Sequence, residues 1–382
     1  MEDSIKQIIE SYNPNAPLAE AWTMPAAWYV DPRIMELERR TVFSRSWQLV
    51  GRAEQVRRPG QYLTWELAGE PLLVVRGDDQ VLRGFFNVCR HHAAAVVTGA
   101  EGETRNLRCP YHGWTYSLEG ELRGTPDFTG VCDFDRAANG LAPVETAVWE
   151  NWVFVKLDRG GPALENFLGA DLISRMRGLD LGNFHWTERR RYALDCNWKV
   201  FVDNYLDGGY HVPYLHKGLD SVLDYGNYTI ETGERFCLQS SPVAAKGAET
   251  QTGAVRKGDR ALYYWLYPNF MVNLYEGVMD TNLVIPLGID RTEVIFDFYF
   301  TDVSEQARET NLASVAVAER IQDEDVAICE SVQRGLKSRS YTAGRLSVRR
   351  EAGERLFHQL LHADLHARIE LLSGAQRPPG SE

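Results

Sequence analysis

The spacing of hydrophobic and polar positions changes character along this 382-residue chain. After Asp31-Pro32, apolar residues recur at roughly helical spacing, at Ile34, Leu37 and Phe43, which predicts a helix before residue 44. From Trp47 onward, short β-rich runs are separated by Gly, Pro and Asp, which is typical of strands and turns. These runs predict an all-β unit, with strands at Gln61 to Leu67, Pro71 to Arg76, Val81 to Val88, Thr115 to Ser117 and Trp152 to Leu157.

The second half of the chain mixes helical and strand patterns. A helix is predicted from Trp198 to His211, because Pro213 disfavours the helical conformation at Val212. A long helical pattern from Val303 to Lys337 follows a predicted antiparallel sheet. The polar stretch 240–260 and the segment 374–382 are predicted to be mobile loops. The predicted strands of the sheet are Tyr263 to Leu266, Phe270 to Tyr275, Thr281 to Pro286 and Glu293 to Thr301.

These patterns predict an α+β protein. An all-β domain over 45–160 is followed by a domain over 161–373 with an antiparallel sheet flanked by helices. Residues 1–44 are predicted to form a leader and a helix that pack on the larger domain. Residues 374–382 are predicted to be a flexible tail.

Composition excludes several classes of protein. The net charge of −12 argues against nucleic-acid and anionic-membrane partners, and 44% hydrophobic residues are enough to form a sizeable core. No apolar run approaches the roughly 20 residues that a membrane-spanning helix needs. Six cysteines are too few for a disulfide scaffold, and the first residues lack the pattern of a secretory signal. We therefore expect a cytoplasmic protein.

Two clusters of cysteine and histidine form the first candidate metal site. Cys89 and His91 are separated by 17 residues from Cys109, and His112 follows at the third position after it. Two such turns between strands can bring four ligands together. A structural zinc site is the alternative to an iron–sulfur cluster, but the loop-like segment between the clusters does not fit the hairpin and helix of a zinc finger.

A second candidate site surrounds His211 and His216. Within a continuous helix, side chains five residues apart would diverge by about 140°, but a helix end between them lets both face one point. Two ordinary buried histidines are the alternative. A single-electron donor beside two histidines favours a mononuclear iron held by two histidines and one carboxylate. Asp325 is the candidate carboxylate, because it lies on the apolar stripe of the long helix, whereas Asp323 and Glu324 lie off it.

Four segments of the sequence resemble motifs of a known protein family. CRHH and CPYHGW resemble the Rieske [2Fe–2S] motif, and NWKVFVDNYLDGGYHVPYLHKGL with EDVAICESVQRGL resembles the iron motif of Rieske non-haem iron oxygenase α subunits. Within that family, the sequence is most similar to those of choline monooxygenases of the plant type and their bacterial relatives. The resemblance implies Cys89 and Cys109 on one iron of the cluster and His91 and His112 on the other. It implies a mononuclear Fe(II) on His211, His216 and Asp325.

The resemblance also implies an activity. A separate reductase or ferredoxin would pass electrons from NAD(P)H to the cluster and then to the iron, where O₂ is used to oxidise a C–H bond. In this family electrons cross between subunits of a ring, which implies a homotrimer and an acidic residue between the two metal sites. Asp207 is our candidate for that residue, with Asp203 and Asn204 as alternatives. A turn-capping role for Asp207 is also open.

The substrate is less clearly indicated. The resemblance implies a quaternary ammonium compound, with choline oxidised to the aldehyde hydrate or a betaine demethylated at nitrogen. An aromatic-ring-hydroxylating oxygenase and an electron-transfer or zinc-stabilised binding protein are the alternatives. Aromatic faces attract such cations, although aromatic strand residues are more often part of the core. The candidate substrate-binding residues are Tyr205, Tyr210, Tyr264, Trp265, Phe270 and Tyr275.

Overall fold

A computed structural model describes residues 4–244 and 249–374 of the chain, which divides into two compact units. The first, here called the β unit, is Arg39–Phe167. The second, here called the mixed unit, comprises the described residues up to Glu38 and from Leu168 onward. The all-β domain was predicted over 45–160, and its functional boundaries stay a prediction.

The β unit is built from two antiparallel sheets. Its larger sheet has the strand order β1-β10-β9-β4-β3-β2-β5, and its smaller sheet the order β6-β7-β8. The strands are β1 (Gln48–Arg52), β2 (Gln61–Leu67), β3 (Glu70–Arg76), β4 (Leu82–Phe86), β5 (Glu101–Glu103), β6 (Leu107–Arg108), β7 (Thr115–Tyr116), β8 (Leu122–Gly124), β9 (Pro143–Trp149) and β10 (Trp152–Lys156). Leu73, Phe85 and Tyr116 belong to a buried core that also includes Cys89 and Cys109. The sheets therefore hold both cysteines out of water.

The mixed unit has one seven-stranded antiparallel sheet with the order β11-β17-β16-β15-β14-β13-β12. The strands are β11 (His185–Leu194), β12 (Thr229–Thr232), β13 (Phe236–Pro242), β14 (Arg260–Leu266), β15 (Phe270–Tyr275), β16 (Val278–Gly288) and β17 (Arg291–Phe300). The sheet and its helices confirm the predicted α+β class.

Helices of the mixed unit pack together and against this sheet. The first helices are α1 (Ile5–Glu10), α2 (Ala27–Val30) and α3 (Pro32–Glu38); α4 (Leu164–Leu168) spans the division between the units. The later helices are α5 (Ala170–Arg177), α6 (Trp198–Leu206), α7 (Val212–Leu215), α8 (Lys217–Asp220), α9 (Gln251–Val255), α10 (Arg308–Leu336) and α11 (Ala352–Gly374). Both α10 and α11 pack against α6, α1 packs against α11, and α2 packs against α10.

A buried ion pair anchors α6 at its first turn. Lys199 Nζ lies 2.6 Å from Glu38 Oε1, and both side chains are fully buried. Trp198 Nε1 donates a hydrogen bond of 2.8 Å to the other oxygen of Glu38. The helix is thereby tied to α3, because a buried carboxylate without its partners would be costly.

The predicted end of this helix is wrong. α6 stops at Leu206 instead of His211, and Gly208 and Gly209 follow with φ of +69° and +66°. Pro213 does not end a helix here; it lies in the first turn of α7, where a missing N–H costs nothing. Left-handed glycines, and not the proline, therefore break the helix.

The predicted loop over 240–260 is also partly wrong. β13 extends to Pro242, α9 covers Gln251–Val255, and β14 begins at Arg260. Residues 245–248 of this stretch, and residues 375–382 of the predicted tail, lie outside the described part of the chain.

Candidate metal centres and substrate cavity

Two matching turns present the ligands predicted for the first site. The Cys89 amide donates to the Ala94 carbonyl, and the Ala93 amide donates back to the Cys89 carbonyl, at 2.8 and 3.0 Å. Cys109 makes the same pair of bonds with Trp114 and Gly113, at 2.8 and 3.1 Å. Ala93 and Gly113 both have positive φ, so each cysteine opens a tight turn that closes on itself.

The side chains at these turns have the properties of a cluster site. Cys89 and Cys109 are free and buried, and burial together with the neighbouring Cys89 thiol raises the pKa of Cys109. His91 and His112 have ring centroids 4.8 Å apart. His91 Nδ1 is buried and has no hydrogen-bond partner among the described residues, and the Trp114 ring stacks on the His91 ring at 4.6 Å. Two thiols and two imidazoles in this setting fit a Rieske cluster.

His92 also lies close to this group. The ligand atoms of His91, His92 and His112 all lie within 4.8 Å of one another, and His92 and His112 are both exposed. His91 and His112 remain the proposed ligands, as the resemblance to the Rieske motif implies.

The second site brings together the three residues predicted to bind a mononuclear iron. Ligand atoms of His211, His216 and Asp325 all lie within 4.8 Å of one another. His216 Nε2 is 3.1 Å from Asp325 Oδ1, and His211 Nε2 is 4.0 Å from the same oxygen. The two histidines flank α7, while Asp325 comes from α10. Two imidazoles and one carboxylate converging on one point fit a non-haem iron site.

Each of these three residues is fixed by a second side chain. Asp207 Oδ2 lies 2.5 Å from His211 Nδ1, and Asn204 Nδ2 donates a hydrogen bond of 2.8 Å to Asp325 Oδ1. The remaining residue, His216, has Nδ1 2.6 Å from Glu324 Oε2. Carboxylates on Nδ1 leave the Nε2 atoms of both histidines available for a metal, which is the usual support for histidine ligands.

Glu324 is a functional candidate that the sequence analysis missed. The apolar stripe of α10 placed it away from the core, yet its carboxylate and that of Asp325 bind opposite nitrogens of the His216 ring. Burial opposes protonation of His216, but these two carboxylates outweigh burial and raise its pKa. The sequence held no signal for this contact, because His216 belongs to a different element.

The structure separates the residues considered for a bridge between the two metal sites. Asp207 contacts His211, whereas Asp203 accepts a hydrogen bond from Tyr29 at 2.5 Å and lies 3.0 Å from His358 Nε2. Asn204 is hydrogen-bonded to Asp325. Asp207 also accepts a hydrogen bond from the backbone N–H of His211 at 3.0 Å. The same side chain therefore caps the turn and contacts the His211 ring.

A cavity of about 120 Å³ opens beside the second site. His211, His216 and Asp325 form part of its wall. The aromatic residues lining it are Phe201, Tyr205, Tyr228, Tyr263, Tyr275 and Phe296, and the other polar residues include Asn204, Gln239, Arg256, Asn273, Asp280, Asn282 and Gln322. The wall is therefore tyrosine-rich and carries a few buried charged and amide groups.

The predicted substrate residues are only partly in this cavity. Tyr205 and Tyr275 line it, but Tyr263 lines it in place of Tyr264, because neighbouring residues of β14 face opposite sides of the sheet.

The other predicted substrate residues lie elsewhere. Trp265 packs on Phe357 of α11 at 5.6 Å, Phe270 is a core residue, and the Tyr210 side chain is 46% exposed. The prediction for these residues is corrected by the cavity lining. Tyr228 was missed, because it lies between a short 3₁₀ segment and β12, outside any strand pattern in the sequence.

Comparison with known families agrees with this geometry. Residues 46–135 match the Rieske [2Fe-2S] domain, and residues 181–366 match the catalytic domain of the ring hydroxylating alpha subunit. These are the two domains of an oxygenase α subunit of Rieske type. Choline monooxygenase of Arabidopsis thaliana is 39% identical over 94% of this chain and 87% of its own. The carnitine monooxygenase oxygenase subunit of Escherichia coli is 33% identical over 90% and 93%.

Solved structures give the same result. A quaternary ammonium Rieske monooxygenase superposes with a TM-score of 0.82 at 26% identity, covering 96% of this chain and 99% of the other. The chain belongs to the Rieske oxygenase family that includes the choline and carnitine monooxygenases. Naphthalene 1,2-dioxygenase from Rhodococcus, at 21% identity and a TM-score of 0.79, shares the fold.

Within residues 4–244 and 249–374, none of the helices has the length and apolar character needed to cross a membrane.

Replacing Glu324 by Ala tests the support of His216. We expect iron to be bound about 10- to 100-fold more weakly in a chelator competition, because His216 loses the carboxylate that orients its ring. Asp323→Ala is the matched control, since Asp323 is exposed on the same helix. Equal iron retention by the two variants would contradict a role for Glu324.

Proposed function

We propose that this chain is the oxygenase subunit of a monooxygenase that oxidises a quaternary ammonium compound with O₂ and reductase-supplied electrons. The observation that carries the proposal is the convergence of His211, His216 and Asp325 on the wall of a buried, tyrosine-rich cavity. The relatives named for choline and for carnitine support the same substrate class. Either choline oxidation or attack on a betaine is compatible with this class.

Two residues that flank α7 and one residue on α10 supply the chemical setting. We assign His211, His216 and Asp325 as ligands of a mononuclear Fe(II), and Cys89, His91, Cys109 and His112 as ligands of the [2Fe–2S] cluster. When bound, these groups supply O₂ activation and single-electron delivery. The histidine Nδ1 atoms are held by Asp207 and Glu324, so the Nε2 atoms face Asp325 and the cavity.

The cavity wall fits a cationic substrate. Tyr275 is buried, Tyr205, Tyr228 and Tyr263 are half-buried, and desolvation raises the pKa of each above its ordinary value. The rings therefore stay neutral at physiological pH. Each such ring attracts a quaternary ammonium group by roughly 0.5–2 kcal/mol.

The catalytic-domain match also decides between classes of function. A protein that only transfers electrons, or that is stabilised by zinc, needs no catalytic domain in the second half of the chain. Residues 181–366 match an oxygenase catalytic domain. An aromatic substrate remains the alternative within the family. The likeness to naphthalene 1,2-dioxygenase shows the fold alone and does not favour it.

Electron transfer between subunits is part of the proposal. In a homotrimer, the cluster of one subunit would supply the iron of the next through Asp207, whose side chain is 16% exposed while it contacts His211. A reductase or ferredoxin outside this chain would be the donor. We propose that the protein works in the cytoplasm, as expected from its sparse cysteines.

Oxygen uptake tests the proposed function. The purified protein is supplied with NADH and a ferredoxin reductase pair, and O₂ consumption is followed with choline, glycine betaine, carnitine or benzoate. We expect uptake, matched by an oxidised product, with at least one quaternary ammonium compound and none with benzoate. His216→Ala should retain the visible spectrum of the cluster and lose this uptake. Coupled turnover of benzoate alone would overturn the proposed substrate class.

An Asp207→Asn variant tests the electron route. We expect the reduced cluster to be reoxidised at least about tenfold more slowly by O₂ and substrate, because the bridge to His211 loses its charge. Stopped-flow absorbance of the cluster measures this rate, and iron content per chain shows whether the variant keeps its iron. Asp220→Asn, a half-buried position on α8, is the control. An unchanged reoxidation rate with full iron content would defeat the assignment of Asp207.

A further inference from the structure

One wall of the cavity carries a buried arginine. Arg256 follows α9 and is 3% exposed. Its Nη1 donates to the Ser314 hydroxyl and its Nη2 to the Ser314 carbonyl, the latter at 3.4 Å. The guanidinium carbon lies 5.0 Å from the centroid of the Tyr275 ring. Every one of these contacts is neutral.

Among the residues that the structure describes, no carboxylate lies at ion-pair distance from the charge of Arg256. Within the described ranges 4–244 and 249–374, Arg256 forms no ion pair. Removing a cation from water is costly unless an anion compensates it. A planar guanidinium binds a carboxylate through two parallel hydrogen bonds, which is its strongest common interaction in proteins. The cavity thus offers a site for one carboxylate.

A separate anion lines the same cavity. Asp280 is 4% exposed and accepts hydrogen bonds from Asn273 Nδ2 at 2.7 Å and from Asn282 Nδ2 at 3.4 Å. Burial raises its pKa, and the Coulomb attraction of Arg256 opposes that rise. The two amide donors favour the ionised carboxylate. Asp280 and Arg256 therefore share one cavity without forming an ion pair.

A zwitterion matches this arrangement better than a simple cation. Its ammonium group would lie among the tyrosine rings with Asp280 nearby, and its carboxylate would meet Arg256. Choline has a cationic end but only a hydroxyl at the other. It would bring no anion to the Arg256 guanidinium.

We propose that Arg256 binds the carboxylate of a betaine, and that the cavity selects quaternary ammonium carboxylates over choline. This inference rests on the proposed function, because it places the substrate of that reaction in the cavity beside His211, His216 and Asp325. The relatives include a choline monooxygenase and a carnitine monooxygenase, so the family covers both kinds of substrate. The inference restricts this chain to the substrates that carry a carboxylate. Arg256 is a specificity-determining residue in this account.

Calorimetric titration of the iron-loaded protein under anaerobic conditions tests the inference without relying on turnover. The ligands are γ-butyrobetaine, its methyl ester and choline. The ester keeps the ammonium group and removes the carboxylate charge. We expect the betaine to bind at least about tenfold more tightly than either uncharged-tail ligand. Equal or tighter binding of choline would overturn the inference and leave the proposed function standing.

Three variants separate charge from structure. Arg256→Gln should weaken betaine binding at least about tenfold and leave choline binding within about twofold. Ser314→Ala removes the hydroxyl contact of Arg256 but keeps the charge, so it should retain the preference for the betaine. Lys257→Gln removes an exposed charge at the next residue and should change neither.

Two further results would count against the inference. If Arg256→Gln and Ser314→Ala weakened all ligands alike, Arg256 would only support the fold. If the native protein bound no quaternary ammonium compound, the proposed function would fail and the inference with it. The pattern of ligands therefore distinguishes the two failures.

Discussion

The turn at Gly208 and Gly209 is the constraint on which the iron site depends. Both glycines have left-handed backbone conformations, and a Cβ at Gly208 would collide with the backbone carbonyl of Arg350. A Cβ at Gly209 would lie 2.9 Å from the Tyr228 ring. α6 ends before this turn, and His211 and His216 flank the next short helix, α7, with their ring centroids 4.8 Å apart. Because the chain turns here, α7 and the two histidines that flank it lie beside Asp325 on α10.

Burial gives this geometry its chemical value. The buried Lys199–Glu38 pair holds α6, and Asp207, Asn204 and Glu324 hold the three proposed ligands. Each of these contacts restricts the rotation of a ligand side chain, which keeps the ligand atoms in position for a metal ion. Arg256 and Asp280 are buried charged residues that line the cavity beside this site. Burying these two charges costs free energy when the cavity is empty, and a bound zwitterion offsets that cost. The same two residues therefore affect both stability and substrate specificity.

Local chemistry was predictable from the sequence where ligand types and spacing define it. The cysteine and histidine pairs, the two-histidine segment and the choice of Asp325 all followed from neighbouring residues. Contacts between distant elements were not predictable. Glu324 meets His216 only after α10 packs beside α7, and α11, which was not predicted, supplies His358 to occupy Asp203. The side of β14 that faces the cavity needed its neighbouring strands, so Tyr264 was predicted where Tyr263 lies.

The proposed function requires an iron ion on His211, His216 and Asp325 to lie beside the bound substrate. Anomalous diffraction at the iron absorption edge, from crystals grown with γ-butyrobetaine, tests it most directly. The account predicts an iron peak among these three side chains, with the ammonium group in the tyrosine-lined cavity. Absence of iron at this position, or a ligand bound outside the cavity, would contradict it.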